Sequence, residues 1–218
     1  DWFLGEADSV FEELGDQRGR AWVLQHRAWV SFLDGHHATS ERRLGSAITA
    51  FEQLGDRGGA SWSRGLLAYV HHLNGRASEA SALAEEVYSE AKRWGDSWGA
   101  AMMLNLQASI RLWAGDVDAS RSLAERSLTV FRRIDDRFGI VQALGTLTRS
   151  LVALGRTADV ERAVEEMVVI ADAFGELAYP MQAAAGASMH AGRGERAVQH
   201  ATQASSRLGH PGASGDGG

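Results

Sequence analysis

Four kinds of side chain in this sequence occur at spacings that could do chemistry. His36-His37 and His71-His72 supply imidazoles in pairs, and neutral imidazole is a common metal ligand. Glu85-Glu86 and Glu165-Glu166 supply paired carboxylates, the groups that act as general acid and base. Trp22 and Trp62 stand one forty-residue interval apart, as do Trp29 and Tyr69, and such rings stack on peptide side chains or planar small molecules. Serines are frequent, but a serine becomes a nucleophile only beside a base.

Three of these readings weaken once the residues are placed on elements. Adjacent residues on a helix do not face the same way, and no cysteine or carboxylate completes a ligand set around either histidine pair, so no metal is expected. The paired glutamates have apolar neighbours at helical steps, which reads as a solvated outer face. No local motif arranges a histidine and an acid around any serine, and no enzymatic activity or cofactor is expected. The aromatic positions remain.

Those positions sit in a repeat. Phe51-Glu52-Gln53-Leu54-Gly55-Asp56, with Gly59 shortly after, recurs at a spacing of forty as Phe11 to Asp16 with Gly19. It recurs again as Trp94-Gly95-Asp96 with Gly99, Ile134-Asp135-Asp136 with Gly139, and Phe174-Gly175-Glu176. A second mark, Gly35, Gly75, Gly115 and Gly155, halves each unit. Two marks per period leave segments the length of an ordinary helix, and apolar residues such as Leu44, Ala47, Ile48, Phe51 and Leu54 fall at three- and four-residue steps. Glycine past a helix end accepts the left-handed conformation, and Asp16, Asp56, Asp96 and Asp136 stand where they would cap the next helix. Asp135 takes the glycine's place in the fourth copy, a substitution the left-handed region tolerates. Phe51 and Leu54 are both expected to pack. Small residues at a fixed place, Ala28, Ala68, Ala108 and Thr148, would let first helices approach closely. The spacing predicts an all-α stack of antiparallel helix pairs.

The ends depart from the pattern. Residues 1–16 match the second half of a repeat, and this half-repeat would expose Trp2, Phe3, Leu4 and Phe11 for pairing two chains. Full units are expected at 17–56, 57–96, 97–136, 137–176 and a degraded 177–209, in which Pro180 lies near the start and Gly192 arrives early. Residues 210–218, rich in glycine and serine, read as a flexible tail. With no cysteine, disulfides and thiolate sites are excluded, and a cytoplasmic protein is expected. The apolar runs are too short to span a membrane, and a net charge of -6 argues against direct nucleic-acid binding.

The pattern of Gly-x-Ala, a small mid-helix residue, a turn glycine, then Phe-x-x-Leu-Gly-Asp-x-x-Gly resembles the tetratricopeptide-like repeats of bacterial LuxR-type and AfsR/MalT-like ATP-dependent transcription regulators. The likeness covers about residues 4–209. It implies an α-solenoid wound as a right-handed superhelix, whose concave groove is lined by the first helix of each pair. Alignment on that pattern projects Trp22, Gln25, Trp29 and Phe32 into the groove, then Trp62, Tyr69 and His72. Met102, Asn105, Ser109 and Trp113 follow, and last Gln142 and Arg149. Arrays that clamp a C-terminal carboxylate need lysine and asparagine here, and the only lysine, Lys92, is on a second helix. The sequence holds no P-loop or helix-turn-helix signature. The expected function is a non-catalytic interaction or sensor domain of a bacterial signal-transduction or transcription regulator. Its partners would be a protein, peptide or small-molecule effector in the groove and other domains of the parent chain. The alternative is a scaffold that self-associates through its N-terminal end.

Overall fold

The computed structural model describes residues 2–172, and every described element is a helix. In chain order these are α1 (Trp2–Glu13), α2 (Gln17–Leu33), α3 (His37–Gln53), α4 (Arg57–Leu73), α5 (Ala77–Trp94), α6 (Ser97–Trp113), α7 (Val117–Arg133), α8 (Arg137–Ala153) and α9 (Thr157–Asp172). The expected fifth unit at 177–209, with Pro180 and Gly192, and the tail at 210–218 lie outside the described residues, as does the end of the unit at 137–176.

The repeat motif builds each turn between helix pairs. Gly15, Gly55 and Gly95 end helices at φ of 68°, 68° and 75°, and Asp135 does the same at φ 53°. The aspartate that follows accepts a backbone N–H from the first turn of the next helix. Gly19 donates to Asp16 at 2.9 Å, Gly59 to Asp56 at 3.0 Å, Gly99 to Asp96 at 2.9 Å and Gly139 to Asp136 at 2.6 Å. Each cap satisfies a donor that the helix cannot, worth about 0.5–2 kcal/mol.

The phenylalanine and the second glycine of the motif form one contact. A Cβ on Gly19, Gly59 or Gly139 would overlap the ring of Phe11, Phe51 or Phe131 respectively. The ring therefore lies directly on the backbone of the next helix. Phe51 and Phe131 are fully buried there. Leu54 corrects the expectation that it packs beside Phe51. It is the C-cap of α3 and stays 44% exposed, because the chain turns away one residue later. Phe11 is also not exposed as expected: it is half-buried against Gly19, and Leu4 is half-buried too.

The chain divides into two compact units, one up to Ile110 and one from Arg111. In the first, successive helices pack as hairpins from α1 to α5, and α2 also touches α4. Its core includes Ala28, Leu44, Leu66 and Val70 around α2 to α4. A second part of that core holds Ala68, Ala80, Ala84, Val87, Met103, Leu106 and Ile110 from α4 to α6. The recurrent small residues Ala28, Ala68 and Ala108 are fully buried, and Ser40 Oγ donates to the Ala28 carbonyl at 2.8 Å. In the second unit α7 packs on α8 and α8 on α9, burying Leu128, Phe131, Leu144 and Met167 among others, with Thr148 at the small-residue position. No described helix is long and apolar enough to cross a membrane.

Candidate functional site

The first helices α4 and α6 are joined side to side, in part by residues projected into the groove. The rings of Trp62 on α4 and Trp98 on α6 stack with centroids 4.5 Å apart and planes within 12°. Further along the same two helices the Tyr69 hydroxyl donates to the Met102 carbonyl at 3.1 Å, and His72 Nε2 lies 3.2 Å from Ser109 Oγ. Tyr69 and Met102 also pack against the adjoining core. These contacts link residues 33 and 37 apart in sequence.

Burial separates what packs from what faces outward. Trp22 is half-buried, its ring edge-on to core Phe51 at 4.9 Å, and the Trp22 carbonyl lies 2.7 Å from His26 Nδ1. Trp29 is half-buried and stacks on Phe32 at 5.5 Å over the α2–α4 core. Gln25 and Asn105 are 2% and 5% exposed, so they do not line an open face; Asn105 Oδ1 has no hydrogen-bond partner. Trp62 keeps 42% of its surface exposed while stacked. In the second unit Trp113 is 80% exposed and Arg149 is exposed, its guanidinium donating to Thr146 Oγ1 at 3.2 Å. Gln142 is half-buried.

Trp98 lies outside the positions that the forty-residue alignment projects. The alignment at strict forty-residue spacing pairs Trp62 with Met102, whereas the two helices meet about one turn short of a period. A search for aromatic residues one turn before each repeat-equivalent position finds it, and finds Phe138, 51% exposed, one period further on.

The titratable residues serve the packing. Among the described residues no cluster of three His, Asp or Glu side chains is arranged to hold a metal. His37 Nδ1 lies 3.1 Å from Asn74 Oδ1, and His71 Nδ1 is buried without a hydrogen-bond partner, 4.0 Å from Glu41 Oε1. Burial holds the His71 pKa below 6.5, reinforced by nearby Arg76. Arg76, the N-cap residue of α5, donates to Glu41 at 2.6 Å and lowers that carboxyl's pKa. The Asp56 pKa is lowered chiefly by the Gly59 N–H, with Arg18 adding to it at 2.7 Å. Paired Glu85-Glu86 are exposed and reach neighbouring helices, to Gln107 at 2.9 Å and Arg64 at 3.2 Å.

The second unit carries a groove of about 460 Å³ over α8, between α7 and α9. Leu128, Leu144, Leu147 and Leu151 floor it. Its rim charges satisfy one another: Arg132 donates to both oxygens of Glu166, and Asp159 pairs with Arg156 and Arg162. Internally paired rim charges offer little to a charged ligand.

No protein-family model matches the sequence, and no curated protein matches it. Solved structures do. The chain is similar to BtubC (BKLC) from P. vanneervenii with a TM-score of 0.67, at 15% identity, over 99% of this chain and 92% of that one. It is also similar to a putative kinesin light chain with nearly identical TPR-like repeats from Podosopora anserina. That match has a TM-score of 0.59 at 17% identity and covers 87% of this chain and 95% of that one. At such identity the likeness is one of fold: the protein is an all-α solenoid of tetratricopeptide-like helix pairs.

Proposed function

We infer that this chain is a non-catalytic interaction module that binds a partner on the face formed by its first helices. The observation that carries the reading is the Trp62–Trp98 stack. Two large rings packed on each other would ordinarily be covered, yet Trp62 remains 42% exposed on adjacent first helices. Tryptophan presented rigidly from a scaffold gives contact area at small entropic cost, which is why it dominates binding hot spots. The sequence resemblance supports the wider setting, a cytoplasmic bacterial signal-transduction or transcription regulator in which partner binding is relayed to other domains of the parent. Such relay requires the partner to prefer one conformation of the array.

Selection of displayed random peptides against the chain tests this. Enriched peptides are expected to lose binding to a Trp62→Ala variant and to retain it with Trp94→Ala, on second helix α5. Peptides indifferent to Trp62 would contradict the reading.

A second reading rests on α1, where Trp2 and Phe3 are 69% and 80% exposed and contact each other edge to face. This is the apolar end through which two copies would associate. Sedimentation across a concentration series separates the two: a dimer abolished by Trp2→Ser and Phe3→Ser supports self-association, and a monomer at all concentrations removes it.

A further inference from the structure

The charges of the protein are sorted by helix. The first helices α2, α4, α6 and α8 carry eight arginines and no aspartate or glutamate. The second helices α1, α3, α5, α7 and α9 carry 17 acids against nine basic residues. A net charge of -6 hides this division.

Part of it is structural. Arg20 pairs with Asp8 and Glu12, Arg27 with Asp8, and Arg64 with Glu86 and Glu90, each joining a first helix to a second. Those pairs place arginine on one helix and acid on the other. They do not require acids to be missing from the solvent-facing first-helix positions, such as His26, Arg57, Trp62 and Leu73, all exposed. Arg57 has no ion pair among the described residues, and the same holds for Arg111 and Arg149 in the second unit.

We propose that the partner of the first-helix face is an acidic segment of another protein, a refinement that rests on the interaction reading above. An acidic chain laid on α2, α4 and α6 meets aromatic surface, the unpaired Arg57 and no acid within those helices, whereas it is repelled by the second helices. Charge arrangement of this kind selects partners and steers encounter. Single-stranded RNA shares the negative charge and could stack on tryptophan. It needs a basic track along successive phosphates, and among the described residues Arg57 is the one arginine of the first unit's first helices without an ion pair, a single contact and not a track.

The test measures binding of labelled peptides that alternate serine with glutamate, glutamine or lysine, and of oligouridylate, to the full chain. The glutamate peptide is expected to bind roughly tenfold tighter than the glutamine peptide at low salt, and this advantage is expected to shrink as salt rises. Arg57→Glu is expected to weaken it about fivefold or more, and Lys92→Glu, the same charge change on α5, to have little effect. Circular dichroism on both variants confirms that each is folded. Equal binding of glutamate and glutamine peptides, lost in Trp62→Ala, would overturn the acidic partner and leave the interaction reading standing. Preference for oligouridylate or the lysine peptide would overturn it as well. Failure of every probe to bind would count against both.

Discussion

Gly59 is the residue on which the repeat geometry turns. Its N–H is held by Asp56 and its missing Cβ makes room for the Phe51 ring, so one position serves cap and core together. Gly59→Ala is expected to cost about 1–3 kcal/mol in chemical denaturation, the range of overpacking a filled core. In a Phe51→Ala background the same change should cost clearly less, and a double-mutant cycle measures the difference. The third copy already resembles the Phe51→Ala background: Ala91 stands in the phenylalanine position, and the atoms nearest a Cβ on Gly99 belong to the Asp96 carboxylate and not to a ring. The capping roles were legible in the sequence because glycine and aspartate act within a few residues of their own position. The ring-on-glycine contact and the exposure of Leu54 were not, since both depend on the angle at which the next helix leaves the turn.

At the scale of elements, helices meet through side chains that forty-residue spacing does not align. The stagger that brings Trp62 to Trp98 and Tyr69 to Met102 follows from helix packing, and a sequence repeat records only which residues are equivalent. Residue type alone points to Trp22, Trp29 and Tyr69, and the structure places all three partly in helix contacts. A junction of three helices carries a pH dependence. His71 on α4 faces Glu41 on α3, and Arg76 and Glu79 at the start of α5 bear on the same ring. Because burial holds the folded pKa of His71 below 6.5, the unfolded chain binds more protons between the two values. Stability from this group is therefore full above about pH 6.5 and declines as pH falls toward the folded pKa. Urea denaturation at a series of pH values should show that decline, and His71→Gln should flatten it. Loss of the Glu41–Arg76 pair belongs to a separate window, at more acid pH than 4.5.

Across the whole molecule, period and punctuation sufficed for the fold, because each helix pair repeats the same local solution and buries its apolar face on its neighbours. The proposed binding face was only half legible. Residue type pointed to the first helices, while burial and the sorting of charge between first and second helices decide which of their residues a partner would meet. Seven tryptophans make the central claim directly measurable. Trp22, Trp29, Trp62, Trp98 and Trp113 lie on first helices, and Trp2 and Trp94 on second helices. Fluorine NMR of 5-fluorotryptophan-labelled protein, with each resonance assigned by substitution, is to be followed during titration with the glutamate-serine peptide. The resonances of Trp62 and Trp98 are predicted to shift together and saturably, with Trp2 and Trp94 unmoved. Saturable shifts confined to Trp2 or Trp94, with Trp62 and Trp98 unchanged, would contradict a binding face on the first helices.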